Sequence, residues 1–135
     1  MRELLKMCEL PAGDLSDAMI PGFVVAETGG QLVGVAGIEV RGPHGLLRSV
    51  AVAPEIRGSG LGAELVRDRI SWTQSRGINS LYLLTTTAEE YFVRHGFVTE
   101  PRDSAPPEIQ ASNEFTDLCP SSAILMHFTG ANTAR

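Results

Sequence analysis

The chain has 135 residues, a formal net charge of −5 and two cysteines, which bounds it to one domain with one core and excludes nucleic acid or anionic membrane as its main partner, because those need a basic face. No stretch approaches about eighteen uninterrupted apolar residues and the first ten residues are too mixed in charge for a signal peptide, so a cytoplasmic protein is expected. Cys8 and Cys119 make neither a zinc spacing nor a disulfide framework, and no metal is expected.

In chain order, Glu3 to Cys8 reads as a helix remnant that Pro11 to Leu15 ends. Phe23 to Thr28 and Gln31 to Val40 read as two strands joined by a tight Gly29-Gly30 turn. Gly42-Pro43-His44-Gly45 makes the next turn, into a strand from about Leu46 to Ala53. Along it, strict alternation places Arg48, Val50 and Val52 on one face and Leu47, Ser49 and Ala51 on the other. From Gly60 to Arg76 the apolar residues fall at helical spacing, with Leu61, Leu65 and Trp72 in one stripe, Val66 and Ile70 beside it, and Glu64, Arg67, Ser71 and Gln74 on the wet face. Gly77 closes that helix as a C-cap. Leu81 to Thr85 is short, apolar and bounded by turns, which predicts a central strand. Ala88 to His95 predicts a short helix ending at Gly96, and Phe97-Val98-Thr99 opens another strand. Pro101 to Pro107 is loop, a helical turn starts at Pro106, and Ala123 to Phe128 is the last strand. With no repeat and no linker, one domain over residues 1–129 is expected, followed by a polar, frayed tail over 130–135.

The most informative segment joins the strand ending near Ala53 to the helix that follows. Gly58, Gly60 and Gly62 remove side chains from the turn, while the first-turn N–H groups lack intrahelical partners and sit at the positive end of the helix dipole. Such a turn binds anions, and a pyrophosphate is the expected guest. The Walker pattern needs a lysine that is absent here, and the dinucleotide fingerprint spaces its glycines as G-x-G-x-x-G in a parallel βαβ unit, whereas this chain has G-x-G-x-G behind a hairpin-rich first half. What remains is R-x-x-G-x-G, formed by Arg57, Gly60 and Gly62 and preceded by Val52-Ala53-Pro54.

That loop resembles the acyl-CoA signature of the GCN5-related N-acetyltransferases. The resemblance extends to Tyr82-Leu83-Leu84-Thr85-Thr86-Thr87, to the following Ala88 to Gly96 helix with its Gly96-Phe97 turn, and to Glu114 to Ala123 with its Leu118-Cys119-Pro120. The last segment is similar to the short acetyltransferases of arsenic-resistance operons and to the acetyltransferase portion of amino-acid N-acetyltransferases. The match covers about residues 2 to 128. It implies an α/β (α+β) acyl-CoA N-acyltransferase fold, a mixed and mostly antiparallel sheet flanked by helices. It also implies that the chain starts inside the fold's first helix, with the first edge strand missing. An uncovered edge is a pairing site, so a homodimer is an expected assembly.

The resemblance further implies direct transfer of acetyl from acetyl-CoA to an amine in a ternary complex. Backbone N–H groups around Val50, Ala51 and Val52 would hold the pantetheine and polarise the thioester carbonyl. Arg57, Gly58, Ser59, Gly60, Leu61, Gly62 and Ala63 would cradle the pyrophosphate. Thr85 would line the donor side of the slot and Thr86 and Thr87 the side where the amine enters. The family's thiolate-protonating tyrosine falls at Phe92 in this chain, so Tyr91, one residue and about 100° away, is the candidate acid in its place. Glu39 is the candidate base, or else a solvated strand residue. Arg48 is the arginine expected to pair with an acceptor carboxylate, with Arg41 and Arg94 next, or else a surface arginine. Cys119 is a nucleophile, an arsenic ligand or a small buried residue. His44 and His127 receive no role.

Three functions follow as expectations. The first is N-acetylation of a small amine, an amino acid or an amino-acid-like compound. The second is a non-catalytic acyl-CoA sensor, and the third is a protein N-acetyltransferase.

Overall fold

The computed structural model describes residues 21–56, 58–78, 80–112, 115 and 122–129. The expected helix over Glu3 to Cys8, Arg57, the Leu118-Cys119-Pro120 segment and the polar tail lie outside the described residues.

Six strands form one sheet: β1 (Phe23–Thr28), β2 (Gln31–Arg41), β3 (His44–Val52), β4 (Ser80–Thr85), β5 (Phe97–Glu100) and β6 (Ile124–Phe128). Their spatial order is β1-β2-β3-β4-β6-β5, and every pairing is antiparallel except β3 with β4. Helix α1 (Leu61–Ser75) makes the crossover between those two parallel strands, as parallel neighbours require. Two short helices follow, α2 (Glu89–Val93) and α3 (Pro107–Gln110). β1 is an edge strand of the described sheet.

Each sheet face has its own core. On one, Ile38, Leu47, Leu81, Leu83, Phe97 and Met126 bury against Val66 and Ile70 of α1 and Phe92 of α2. On the other, Leu46, Tyr82 and Leu125 pack under Ala105 and Ile109 of the α3 region. Strands covered on both faces read as continuous apolar runs rather than alternating ones, which is why Leu81 to Leu84 shows no period of two.

The predicted alternation along β3 is corrected by a bulge. Val35 pairs with Ala51, but the next pair is Gly37 with Arg48, so Ala36 faces two residues, Ser49 and Val50. Ser49 takes φ 61, and among the described residues it is the one non-glycine at positive φ. The inserted residue shifts the phase: Leu47 and Val50 pack with α1 and α2, while Leu46 belongs to the α3 face. Arg48, next to Leu47 and bonded to Glu39, therefore lies on the α3 face and not with Val50 and Val52. A left-handed conformation costs a non-glycine residue about 1–2 kcal/mol, so Ser49 is held there by its surroundings.

Helix α1 starts at Leu61 with Gly60 as its N-cap, and it ends at Ser75 with Arg76 as C-cap and Gly77 beyond at φ 71. The expected apolar stripe packs on the core, with Leu65, Val66 and Ile70 buried, and Arg69 and Thr73 join it. Arg69 is buried, donating from Nη1 to the Gly22 carbonyl at 2.8 Å and from Nε and Nη2 to Asp68, with Trp72 beneath its guanidinium. A buried arginine is tolerated because its donors are satisfied.

Candidate active site

The site is built where β3 and β4 separate. Their ladder consists of His44 with Ser80, Gly45 with Leu81 and Leu46 with Tyr82, and then it stops. Beyond it β3 stays with β2 as far as the Val52–Gly34 pair, while β4 stays with β6 as far as Thr85–Ile124. A wedge opens between the carboxyl ends of the two parallel strands. Val50, Ala51 and Val52 lie on one wall and Thr85 ends the other. The Thr85 hydroxyl accepts from the Ala88 N–H at 3.1 Å, which fixes the start of α2, and Thr86 and Thr87 are exposed at the rim.

At the mouth of the wedge the chain turns on backbone bonds. The Ala53 N–H donates to Val33, Ile56 to Ala53 and Ser59 to Ile56, and the Leu61 N–H reaches the Ser59 hydroxyl at 3.4 Å. Gly58 and Gly60 sit at φ 89 and 91, where a side chain is strained, and a Cβ at either position would have no neighbour within 4 Å. The loop thus leaves an open hollow over the first turn of α1, whose Gly62 and Ala63 amides have no carbonyl one turn behind them. A Cβ on Gly62 would lie 3.3 Å from the Tyr91 hydroxyl and 3.6 Å from Val52 Cγ2.

That last contact places Tyr91. Phe92, at the family's tyrosine position, is in the core against Phe97 with ring centroids 5.6 Å apart. Its neighbour Tyr91 stands half-buried between α1 and the wedge, with its hydroxyl beside Gly62 and its ring 4.6 Å from that of His95. Burial raises the Tyr91 pKa, opposed by the charges of Arg67 and Arg94. Burial lowers the His95 pKa, and the same two arginines lower it further.

Glu39 and Arg48 are brought together on the opposite face. Arg48 Nη1 donates to Glu39 Oε1 at 3.1 Å, its Nε donates to the Ser49 hydroxyl at 3.2 Å, and Arg41 Nη1 donates to Glu39 Oε2 at 3.2 Å. Glu39 is 6% exposed and the Arg48 side chain 0%. Neither is the solvated strand residue that formed one of the two expectations for each. Arg94 is exposed on the α2 side, away from this pair, and Arg41 is half-buried with its Nε on the Glu108 carbonyl. His44 and His127 flank the Tyr82 ring, and His127 Nδ1 lies 2.9 Å from Glu100. Among the described residues, no three His, Cys, Asp or Glu side chains group to hold a metal ion.

Three features of this site escaped the sequence reading: the bulge at Ser49, the Glu39–Arg48 pair, and the placing of His95 against Tyr91. The pair had a signal, since an arginine inside the run Leu46-Leu47-Arg48-Ser49-Val50 demands a carboxylate on a neighbouring strand.

A loop of bare backbone at a helix start, beside a wedge between parallel strands, is a cradle for an acylated nucleotide, and the model of the acetyltransferase (GNAT) family matches residues 4–97. The chain belongs to that family. An amino-acid acetyltransferase of Shewanella oneidensis is 32% identical over 89 residues, which is 64% of this chain and 20% of the relative. The chain thus spans about a fifth of the length of the curated relatives it matches. Among solved structures, N-acetylglutamate synthase from Neisseria gonorrhoeae, complexed with coenzyme A and N-acetyl-glutamate, superposes with a TM-score of 0.79 at 22% identity over 93% of this chain and 31% of its own. Rv2747 from Mycobacterium tuberculosis, solved with CoA, gives 0.67 at 24% identity over 82% of this chain and 77% of its own. The six-stranded, mostly antiparallel sheet is the fold of these acyltransferases. No helix among the described residues is long and apolar enough to cross a membrane.

Proposed function

We propose that this chain is an acetyl-CoA-dependent N-acetyltransferase that acylates the amino group of an amino acid or a similar small amine by direct attack in a ternary complex. The observation that carries the proposal is the wedge between β3 and β4 with the Gly58–Gly62 loop at its mouth, because it separates two approach routes. The loop and Tyr91 stand on the α1 and α2 face, so a donor anchored there sends its thioester into the wedge from that side. The acceptor then enters from the α3 face. That face carries Arg41, Glu39 and Arg48, with both guanidinium groups bonded to the Glu39 carboxylate. A carboxylated amine suits a site lined by guanidinium groups, in keeping with the relatives that are amino-acid acetyltransferases.

The chain's own groups divide the work as follows. Backbone of Val50 to Val52 aligns and polarises the thioester carbonyl as negative charge develops. Gly58 to Ala63 hold the pyrophosphate. Tyr91 protonates the departing thiolate, solvent takes the proton that the attacking amine gives up, and Glu39 holds Arg48 through Oε1 and Arg41 through Oε2. A raised pKa suits Tyr91 to this task, since the phenol keeps its proton throughout the neutral range and loses it only above its ordinary value. The alkaline side of the rate profile is therefore expected to hold up beyond pH 10, and Tyr91→Phe is expected to cut turnover about 10²-fold with acetyl-CoA affinity preserved. Near-normal turnover by that variant would assign Tyr91 to packing.

The proposal as a whole is tested by thiol release across a panel of free amino acids, simple alkylamines and peptides. Turnover confined to free amino acids is the expected outcome. Turnover of peptides alone would make the substrate a protein, and binding of acetyl-CoA with no turnover would make the chain a sensor.

A further inference from the structure

A hollow of about 300 Å³ lies at the amino ends of β3 and β4, where the Gly42-Pro43 turn meets the end of α1. The wedge opens at the opposite, carboxyl ends of the same two strands, beyond the Leu46–Tyr82 pair. Val40, Pro43 and Ile78 give the hollow apolar walls, and Trp72 and Arg76 line it from the end of α1. Val40 is 51% exposed, and its cross-strand neighbour is Gly45, which has no side chain to cover it.

Two guanidinium groups lie on the Trp72 indole, Arg69 at 5.1 Å and Arg76 at 4.9 Å from its centroid. Arg69 is engaged by Asp68 and the Gly22 carbonyl. The exposed Arg76 guanidinium makes no ion pair or hydrogen bond among the described residues, and Thr73, Gln74 and Ser75 before it carry no acid. The carbonyls that end a helix would oppose an anion there, but these are occupied. The Trp72 carbonyl accepts from the Arg76 N–H and the Ser75 hydroxyl, that of Thr73 from the Ile78 N–H, and that of Gln74 from the Gly77 N–H. A carboxylate entering the hollow therefore meets a guanidinium fork with open donors, steadied by an indole. Apolar groups attached to that carboxylate gain by covering Val40, Pro43 and Ile78.

We propose that this hollow binds a free small-molecule carboxylate with an apolar or aromatic body, its carboxylate on Arg76 and its body against Val40, Pro43 and Ile78. Its volume, at the lower end of ligand sites, limits the guest to a small molecule. Trp72 is the single tryptophan of the chain, so its emission reports on this site directly. The test is a titration of the intact chain with 3-phenylpropionate and with its uncharged counterpart 3-phenylpropan-1-ol, followed by that emission. Neither probe carries an amine that could be acetylated. The carboxylate is expected to bind with a Kd of about 1 mM or tighter and at least about tenfold more tightly than the alcohol, as for a hydrogen bond to a charged group. Arg76→Gln is expected to lower the carboxylate's affinity to that of the alcohol. Val40→Glu, at an exposed position beside the guanidinium, is expected to weaken the carboxylate by about tenfold or more, because it fills the hollow and offers Arg76 a carboxylate of its own. Unchanged Trp72 emission at about 10 mM 3-phenylpropionate, equal affinity for both probes, or a carboxylate preference that survives Arg76→Gln overturns the proposal.

Discussion

Gly60→Glu is expected to abolish acetyl-CoA binding in a chain that still folds. Gly60 caps α1 at φ 91, a conformation that costs a residue with a Cβ about 1–2 kcal/mol, and no atom lies within 4 Å of where that Cβ would stand. The new Cβ therefore meets no protein atom within 4 Å, and the carboxylate it carries is expected to occupy the open space beside the first turn of α1. There it fills the space of the pyrophosphate and sets a carboxylate where two anionic phosphates belong, so sterics and charge act in the same direction. Gly60→Ala separates the contributions, because it carries the strain and little of the bulk or charge, and it should weaken binding only partly. Thermal melting of both variants checks that the fold survives, and calorimetry measures the ligand. Full-strength binding by the glutamate variant would remove the loop from the site.

Gly62 differs from Gly60 in its reason for being glycine, and the difference shows what a sequence can display. The spacing Gly58, Gly60, Gly62 is enough to mark an anion-binding turn, since bare backbone at a helix start has few other uses. It does not show that Gly62 makes room for the Tyr91 hydroxyl, because that contact joins residues 29 positions apart through the packing of α2 on α1. The same limit governs Tyr91 and Phe92. One residue of helix is about 100°, and which ring enters the core depends on how α2 docks, which here sets Phe92 against Phe97. The hairpins, α1 and the central β4 were legible because each rests on local signals: paired glycines, a 3.6-residue period, a short apolar run between turns. The bulge was not, because a serine at φ 61 has no sequence mark, and a single inserted residue reverses every face assignment after it.

Glu39→Ala is expected to cost about 3–5 kcal/mol of stability, the usual penalty for removing one partner of a buried ion pair. The Arg48 guanidinium is fully buried, and its Nη1 bond to Glu39 is 3.1 Å long. Without the carboxylate, a buried guanidinium loses a charged acceptor in a low-dielectric strand interior. Much of the loss should come from the desolvated guanidinium and not from the missing attraction, so adding Arg48→Met to the variant should restore part of the stability even though the ion pair is gone. Urea unfolding of the single and double variants measures both effects, and an unchanged midpoint in Glu39→Ala would show that the pair contributes nothing. Glu39→Gln then asks whether Glu39 also takes the amine's proton. A glutamine keeps an acceptor for one arginine and loses the base, so a positioning role predicts a raised acceptor KM with kcat little changed. Loss of kcat by about 10²-fold or more at unchanged KM would instead make Glu39 the base, and would leave the charge on the acceptor's face to Arg41 and Arg48 alone.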